Sequence, residues 1–102
     1  MSIRVVKVNT KRPNFSIYIG REWAGLSESP FHNPFHVGKD GSRDEVILKF
    51  IGYWYAPKQW KLRETALIMI GPDDILGCWC KPLQCHGDII AGYVTWRRKD
   101  IV

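Results

Sequence analysis

The strongest constraint on the fold lies late in the chain, where two periodicities meet within a few residues. Ile75-Leu76-Gly77-Cys78-Trp79-Cys80 is a short apolar run between the turn Gly71-Pro72-Asp73-Asp74 and the tight loop Lys81-Pro82-Leu83-Gln84. Its length and boundaries predict a buried strand, with Trp79 among the side chains it buries. From Gly87 or Asp88 to about Arg98, the residues Ile89, Ile90, Tyr93, Val94 and Trp96 fall at the spacing of one helix face. A buried strand that feeds a helix through a short loop must cover a sheet with helices.

Upstream, Ile3 to Val8 and Ser16 to Gly20 alternate and read as two further strands, joined by a loop around Pro13. Ser42 and Glu45 stand three apart, the spacing of a capping box. Val46, Ile47, Phe50, Ile51 and Trp54 follow at helical spacing. Pro57 ends that helix or begins the next. Lys58 to Ile70 reads as a second helix, with Trp60, Leu62, Ala66, Leu67 and Ile70 available for its buried face. The order strand, strand, helix, helix, strand, helix predicts an α/β fold. It is expected to be a compact single-domain Rossmann-like sandwich, a small three-stranded sheet covered by about three helices.

Composition narrows the class of protein. With 45% hydrophobic and 25% charged residues, a chain of 102 residues is expected to fold rather than stay disordered. The longest apolar run, Ala66 to Gly71, is too short to span a membrane. The first residues lack the pattern of a signal peptide. Three cysteines, an odd count, point to free thiols and a cytoplasmic setting rather than to a disulfide scaffold. The net charge of +5 favours anionic partners. That inference is weakened because Lys11, Arg12, Arg97 and Arg98 fall in terminal stretches where solvated charges are expected.

All three cysteines lie in the segment Cys78 to Asp88, together with His86. Three kinds of chemistry compete for it. Cys78, Cys80, Cys85 and His86 are a ligand set suited to tetrahedral zinc, but their spacing is not that of zinc knuckles, and no metal is expected. Alternatively, the loop delivers Cys85 and His86 to a helix N-terminus, where N–H groups attract anions and lower a thiol pKa. His86 would then act as acid, base or phosphate donor. Asp88 would orient His86, and Gly87 would let the backbone approach a ligand. Cys85, His86 and Asp88 are thus the candidate catalytic residues, and Cys80 and Gly87 candidate ligand contacts. The third reading is structural: Cys78 is a small buried hydrophobe and Asp88 a helix cap.

Two other segments join this one if the strands lie side by side. Arg21 follows the second strand at its carboxyl end, where it suits a bidentate grip on phosphate or carboxylate. The breaker-rich stretch Glu22 to Gly41 is long for a loop in a compact domain and is expected to be functional. It carries Asn33 ahead of Pro34, able to present its amide, and leads to Arg43 at the first helix. His32 and His36 read as solvent-exposed, and Asn33 and Asp40 alternatively make turn hydrogen bonds.

The motifs Tyr18-Ile19-Gly20-Arg21, Asn33-Pro34-Phe35, Gly38 to Arg43, Gly77-Cys78-Trp79-Cys80-Lys81-Pro82 and Cys85-His86-Gly87-Asp88 together resemble the bacterial and viral family called domain of unknown function 4326. The resemblance covers nearly the whole chain, with a longer loop from Glu22 to His32. It implies a single-domain fold and occurrence in viral or mobile genomes, and it implies no activity. A weaker likeness to domain of unknown function 488 rests on Cys78, Cys85 and His86. It favours a Rossmann-like pocket over a zinc ribbon.

Three functions follow as expectations. The first is a pocket for a nucleotide-type or other phosphorylated ligand, built by Arg21, Asn33, Arg43, Cys80, Cys85, His86 and Asp88, with or without modification of a nucleotide or nucleic acid. The second is a zinc-stabilised nucleic-acid-binding module. The third is a viral protein that sequesters a nucleotide signal without catalysis. No cofactor is named by the sequence.

Overall fold

The computed structural model describes residues 3–101. Three parallel strands form one sheet: β1 (Arg4–Lys7), β2 (Ile17–Tyr18) and β3 (Ile75–Cys78), in the order β1-β3-β2. The last strand in sequence is therefore the central one. Its register pairs Val5 with Leu76 on one side and Ile17 with Leu76 on the other. Three helices complete the fold: α1 (Arg43–Tyr55), α2 (Trp60–Met69) and α3 (His86–Ile101). The strands are shorter than expected. In particular β3 stops at Cys78, and Trp79 and Cys80 form a bend.

Side-chain alternation assigns the two faces of the sheet. Leu76 and Cys78 are buried in one core with Ile19, Phe50, Trp54, Ala66, Ile70, Ile90 and Val94, so all three helices pack on that face. Gly77 points the other way, against the chain that crosses from β1 to β2. A Cβ on Gly77 would stand 2.6 Å from the ring of Phe15. Glycine is thus required for Phe15 to cover the back of the central strand.

Local chemistry explains the helix ends. Ser42 accepts from the Glu45 N–H and Glu45 accepts from the Ser42 N–H, so the expected capping box is present. Helix α1 ends where Ala56, ahead of Pro57, turns extended. Arg63 then donates to the carbonyls of Trp54 and Ala56 at 2.7 and 2.8 Å. A short 3-10 turn, Pro57–Gln59, precedes α2.

Several side chains depart from the sequence-based expectation. Trp60 and Trp96 are both 56% exposed, so neither is core. The tryptophan that fills the centre is Trp54, fully buried, stacked on Phe50 and edge-on to Tyr93. Phe31, inside the irregular stretch, is buried as a core anchor. Arg98 is not simply solvated: it donates to the carbonyls of Leu67 and Ile70, closing the C-terminus of α2. Arg97 bonds the Tyr93 hydroxyl at 2.6 Å and pairs with Glu64. Charges near the chain end find partners because α3 returns alongside α2.

Candidate functional site

Both β2 and β3 end at the same edge of the sheet, and their exits diverge around a cavity of about 300 Å³. Ligands of parallel α/β sheets commonly bind at such an edge. From β3, the bend presents Trp79 and Cys80, and the chain turns back through the cis Lys81–Pro82 bond to start α3 at His86. From β2, Gly20 and Arg21 form the opposite lip, followed by Asn33 to Val37. The first turns of α1 close the third side with Arg43, Val46 and Ile47.

Of the residues singled out from sequence, Arg21, Asn33, Arg43, Cys78, Cys80 and His86 line this one cavity. Cys85, Gly87 and Asp88 do not, and each has a physical reason. Cys85 is fully buried, with its sulfur 2.7 Å from that of Cys78. Gly87 faces the sheet, where a Cβ would come within 2.6 Å of Ile19 and 2.8 Å of Val5. It permits close approach of helix to sheet, not of backbone to ligand. Asp88 is exposed and pairs with Lys81 at 2.8 and 2.9 Å, so it does not orient His86. Sequence reasoning missed Phe35, His36 and Trp79 as lining residues. The signal for the first two was their position directly after Asn33-Pro34. For Trp79 it was the adjacent cysteine at a strand end.

Arg21 works on the protein itself. One terminal nitrogen donates to the carbonyls of Asn33 and Phe35 at 2.7 and 2.6 Å. Its buried Nε has no partner. The Tyr18 hydroxyl donates to the Arg21 carbonyl and accepts from the Trp79 indole at 2.6 Å, tying the two lips together. Asn33 uses its side-chain oxygen on the Phe35 N–H at 2.9 Å, the turn alternative rather than a presented amide. Arg43 reaches the Gln84 carbonyl only at 3.4 Å, leaving most of its donors free.

His86 is only 5% exposed. Its Nε2 lies 2.8 Å from the Ile19 carbonyl, which can only accept, so Nε2 carries the proton. The ring meets Phe50 edge-on at 5.1 Å between centroids. Burial holds its pKa below the usual histidine value, although the Ile19 carbonyl and Cys80 oppose the shift. His86 is therefore a packed core residue as well as part of the cavity wall, and its loss costs packing that the sequence did not announce.

The three thiols differ in kind. Cys80, half-buried at the cavity, has its pKa depressed by hydrogen bonds from Cys78 and Cys85 and by the neighbouring Arg43. Cys85 is raised by its hydrogen bonds with Cys78 and Cys80 and by burial, despite the Gly87 N–H at 3.3 Å from its sulfur. Cys78 is raised as well, through Cys80 first. The sequence placed the reactive thiol at Cys85; the geometry puts the accessible one at Cys80, where its neighbours favour the thiolate. Among the described residues no group of three or more His, Cys, Asp or Glu is arranged to hold a metal.

No curated protein and no solved structure matches the chain. The family model described as domain of unknown function, DUF4326, matches residues 3–96. That span runs through all three strands, every lip of the cavity and most of α3, and the chain belongs to the DUF4326 family.

Proposed function

We propose that the cavity binds a small anionic ligand of the mononucleotide type. The observation that carries this reading is the charge of the lining: Arg21 and Arg43 face the space, with His36 beside them, and no Asp or Glu is among the described lining residues. Two guanidinium groups with no carboxylate among them favour phosphate or carboxylate. Phe35 and Trp79 supply planar apolar surface for a base beside it. About 300 Å³ lies at the small end of ligand pockets, which suits one nucleotide rather than two. Three free thiols fit a reducing cytoplasm, bacterial or that of a virus-infected host.

The test is a thermal-shift and calorimetric titration with a panel of nucleoside mono-, di- and triphosphates. At least one member should raise the melting temperature, with affinity that falls as salt is added. Arg43→Ala should weaken that binding about tenfold or more, as loss of a charged hydrogen bond worth about 1.5–3 kcal/mol implies, while leaving the unliganded melt unchanged. A panel without any shift, or an Arg43→Ala protein that binds like the parent, overturns the reading. Chromatography of the recovered nucleotide separates capture from turnover.

A further inference from the structure

Helical spacing predicts core positions for Trp60 and Trp96, yet both are 56% exposed, and Tyr55 is 47% exposed. The three gather at the end of the helical layer remote from the cavity. Tyr93, buried between α1 and α3, links two of them: its ring lies 5.8 Å from that of Tyr55 and 6.1 Å from that of Trp96. Arg97 stands over the same ring at 5.7 Å and pairs with Glu64 of α2 at 3.6 Å. Glu64 lies one turn along α2 from Trp60, so Trp60 shares that edge. Lys61 stands over the Trp60 ring at 5.6 Å.

The charge beside these rings is one-sided. Lys58, in the turn that joins α1 to α2, is exposed, as are Lys61 and Lys99. Among the described residues no carboxylate pairs with any of the three, and Glu64 already pairs with Arg97. Arg63 occupies the carbonyls of Trp54 and Ala56, so the end of α1 is not left as bare acceptors. Clustered rings in water mark a surface that a partner covers. A second copy of the chain would bring like charges face to face. A strand of nucleic acid with unpaired bases instead supplies flat apolar faces and negative charge in alternation. In a duplex those faces are already stacked.

We propose that Tyr55, Trp60 and Trp96, with Lys58, Lys61 and Lys99 beside them, bind single-stranded nucleic acid. The rings take base faces and the lysines take the phosphates between them. DNA and RNA strands offer the same chemistry here, because stacking needs no 2′-hydroxyl. Sequence preference is weak, since every base has a face to stack. None of these residues lines the cavity. Trp96 stands ten residues along α3 from His86, about 15 Å away. The strand surface and the nucleotide pocket are therefore separate, and either can fail without the other.

The test is fluorescence anisotropy with labelled oligo-dT and oligo-U strands of about 16 nucleotides, beside a duplex of the same length. At least one strand should bind, more tightly than the duplex, and quench the tryptophan emission. The logarithm of its affinity should fall with that of salt at a slope of about −2, as three phosphate contacts imply. Trp96→Ala should weaken strand binding about fivefold or more and leave the unliganded melt nearly unchanged, because the ring is mostly exposed. Lys61→Gln should flatten the salt slope by about 0.7. If Trp96→Ala fails to fold, Trp60→Ala on the neighbouring helix replaces it, with the same loss of binding expected. Duplex bound as tightly as the strands, or a tryptophan variant that binds like the parent, would overturn the proposal. So would a chain that binds neither strand but sediments with phosphatidylserine vesicles, or forms a dimer that Trp96→Ala dissociates.

Discussion

The wall of the cavity made by Trp79, Cys80 and His86 leans on buried side chains, whereas the wall made by Arg21, Asn33 and Phe35 hangs on hydrogen bonds. Behind the first lie Phe50, Trp54 and Ile90 in one apolar cluster. Behind the second, one Arg21 nitrogen binds two backbone carbonyls, the Asn33 side chain binds the Phe35 N–H, and Asp40 accepts from the His36 N–H at 2.7 Å. Only Phe31 anchors that irregular stretch into the core. Packing fixes a wall through many weak contacts, so no polar residue is decisive. A hydrogen-bonded loop concentrates its stability in one or two donors, and a single substitution can release it.

The sharpest way to break this contrast is to empty the packed wall. Trp54→Ala should cost about 3–5 kcal/mol in urea unfolding, because the side chain is fully buried. Its indole N–H is buried without a partner, which offsets part of its packing and argues against a larger loss. Trp79→Ala should cost under about 2 kcal/mol, since Trp79 is half-buried and makes one hydrogen bond to Tyr18. Equal costs at the two tryptophans would place Trp79 in the core after all.

The hydrogen-bonded wall comes next. Arg21→Ala should cost about 2–4 kcal/mol, the loss of two charge-assisted bonds to carbonyls. Arg21→Lys should recover part of that cost, because both bonds come from one nitrogen and an ammonium carries three donors. A cost below about 0.5 kcal/mol in the same unfolding experiment would mean that Phe31 and the turns hold the loop unaided.

What the sequence could reveal follows the same division. Local signals survive: the Ser42–Glu45 cap and the Val46, Ile47, Phe50, Trp54 face needed only residues within two helical turns. The convergence of Arg21, Asn33, Arg43, Cys80 and His86 was also legible, because parallel strands deliver their carboxyl ends to one edge. Side-chain direction at an irregular bend was not. With β3 ending at Cys78, Cys80 turns to the cavity as expected, while Cys85 turns to the core, where helix-terminus reasoning had put it at the ligand. Nor were partners distant in sequence legible. Arg98 reaches the carbonyls of Leu67 and Ile70, and Phe15 covers Gly77, through contacts that no local pattern encodes.

The smallest expected effect sharpens the comparison most, because it comes from the residue where the two walls meet. His86 belongs to the packed wall through Phe50 and reaches the exit of β2 through the Ile19 carbonyl. Burial holds its folded pKa below the ordinary value of 6.5. Below pH 6.5 the unfolded chain takes up a proton that the folded protein still refuses, so the unfolded state binds more protons. The histidine's contribution is therefore full above that pH and declines as pH falls, until the folded pKa is reached. For one proton the slope is at most about 1.4 kcal/mol per pH unit. Asp40 and Glu45, whose carboxyls are held below their usual values by backbone N–H groups, lose their contribution only in the more acidic carboxylate range. Between pH 6.5 and 5 the histidine adds its slope to that of Cys80, whose depressed pKa also releases stability as pH falls, so the histidine's share is read from the difference between parent and variant. His86→Gln can keep a donor toward Ile19 but cannot take up the proton. Urea unfolding of parent and variant across that range should give a falling stability for the parent and a flatter one for the variant. Parallel slopes would show that His86 is solvated, that the packed wall is open to water there, and that the contrast between the two walls fails at their junction.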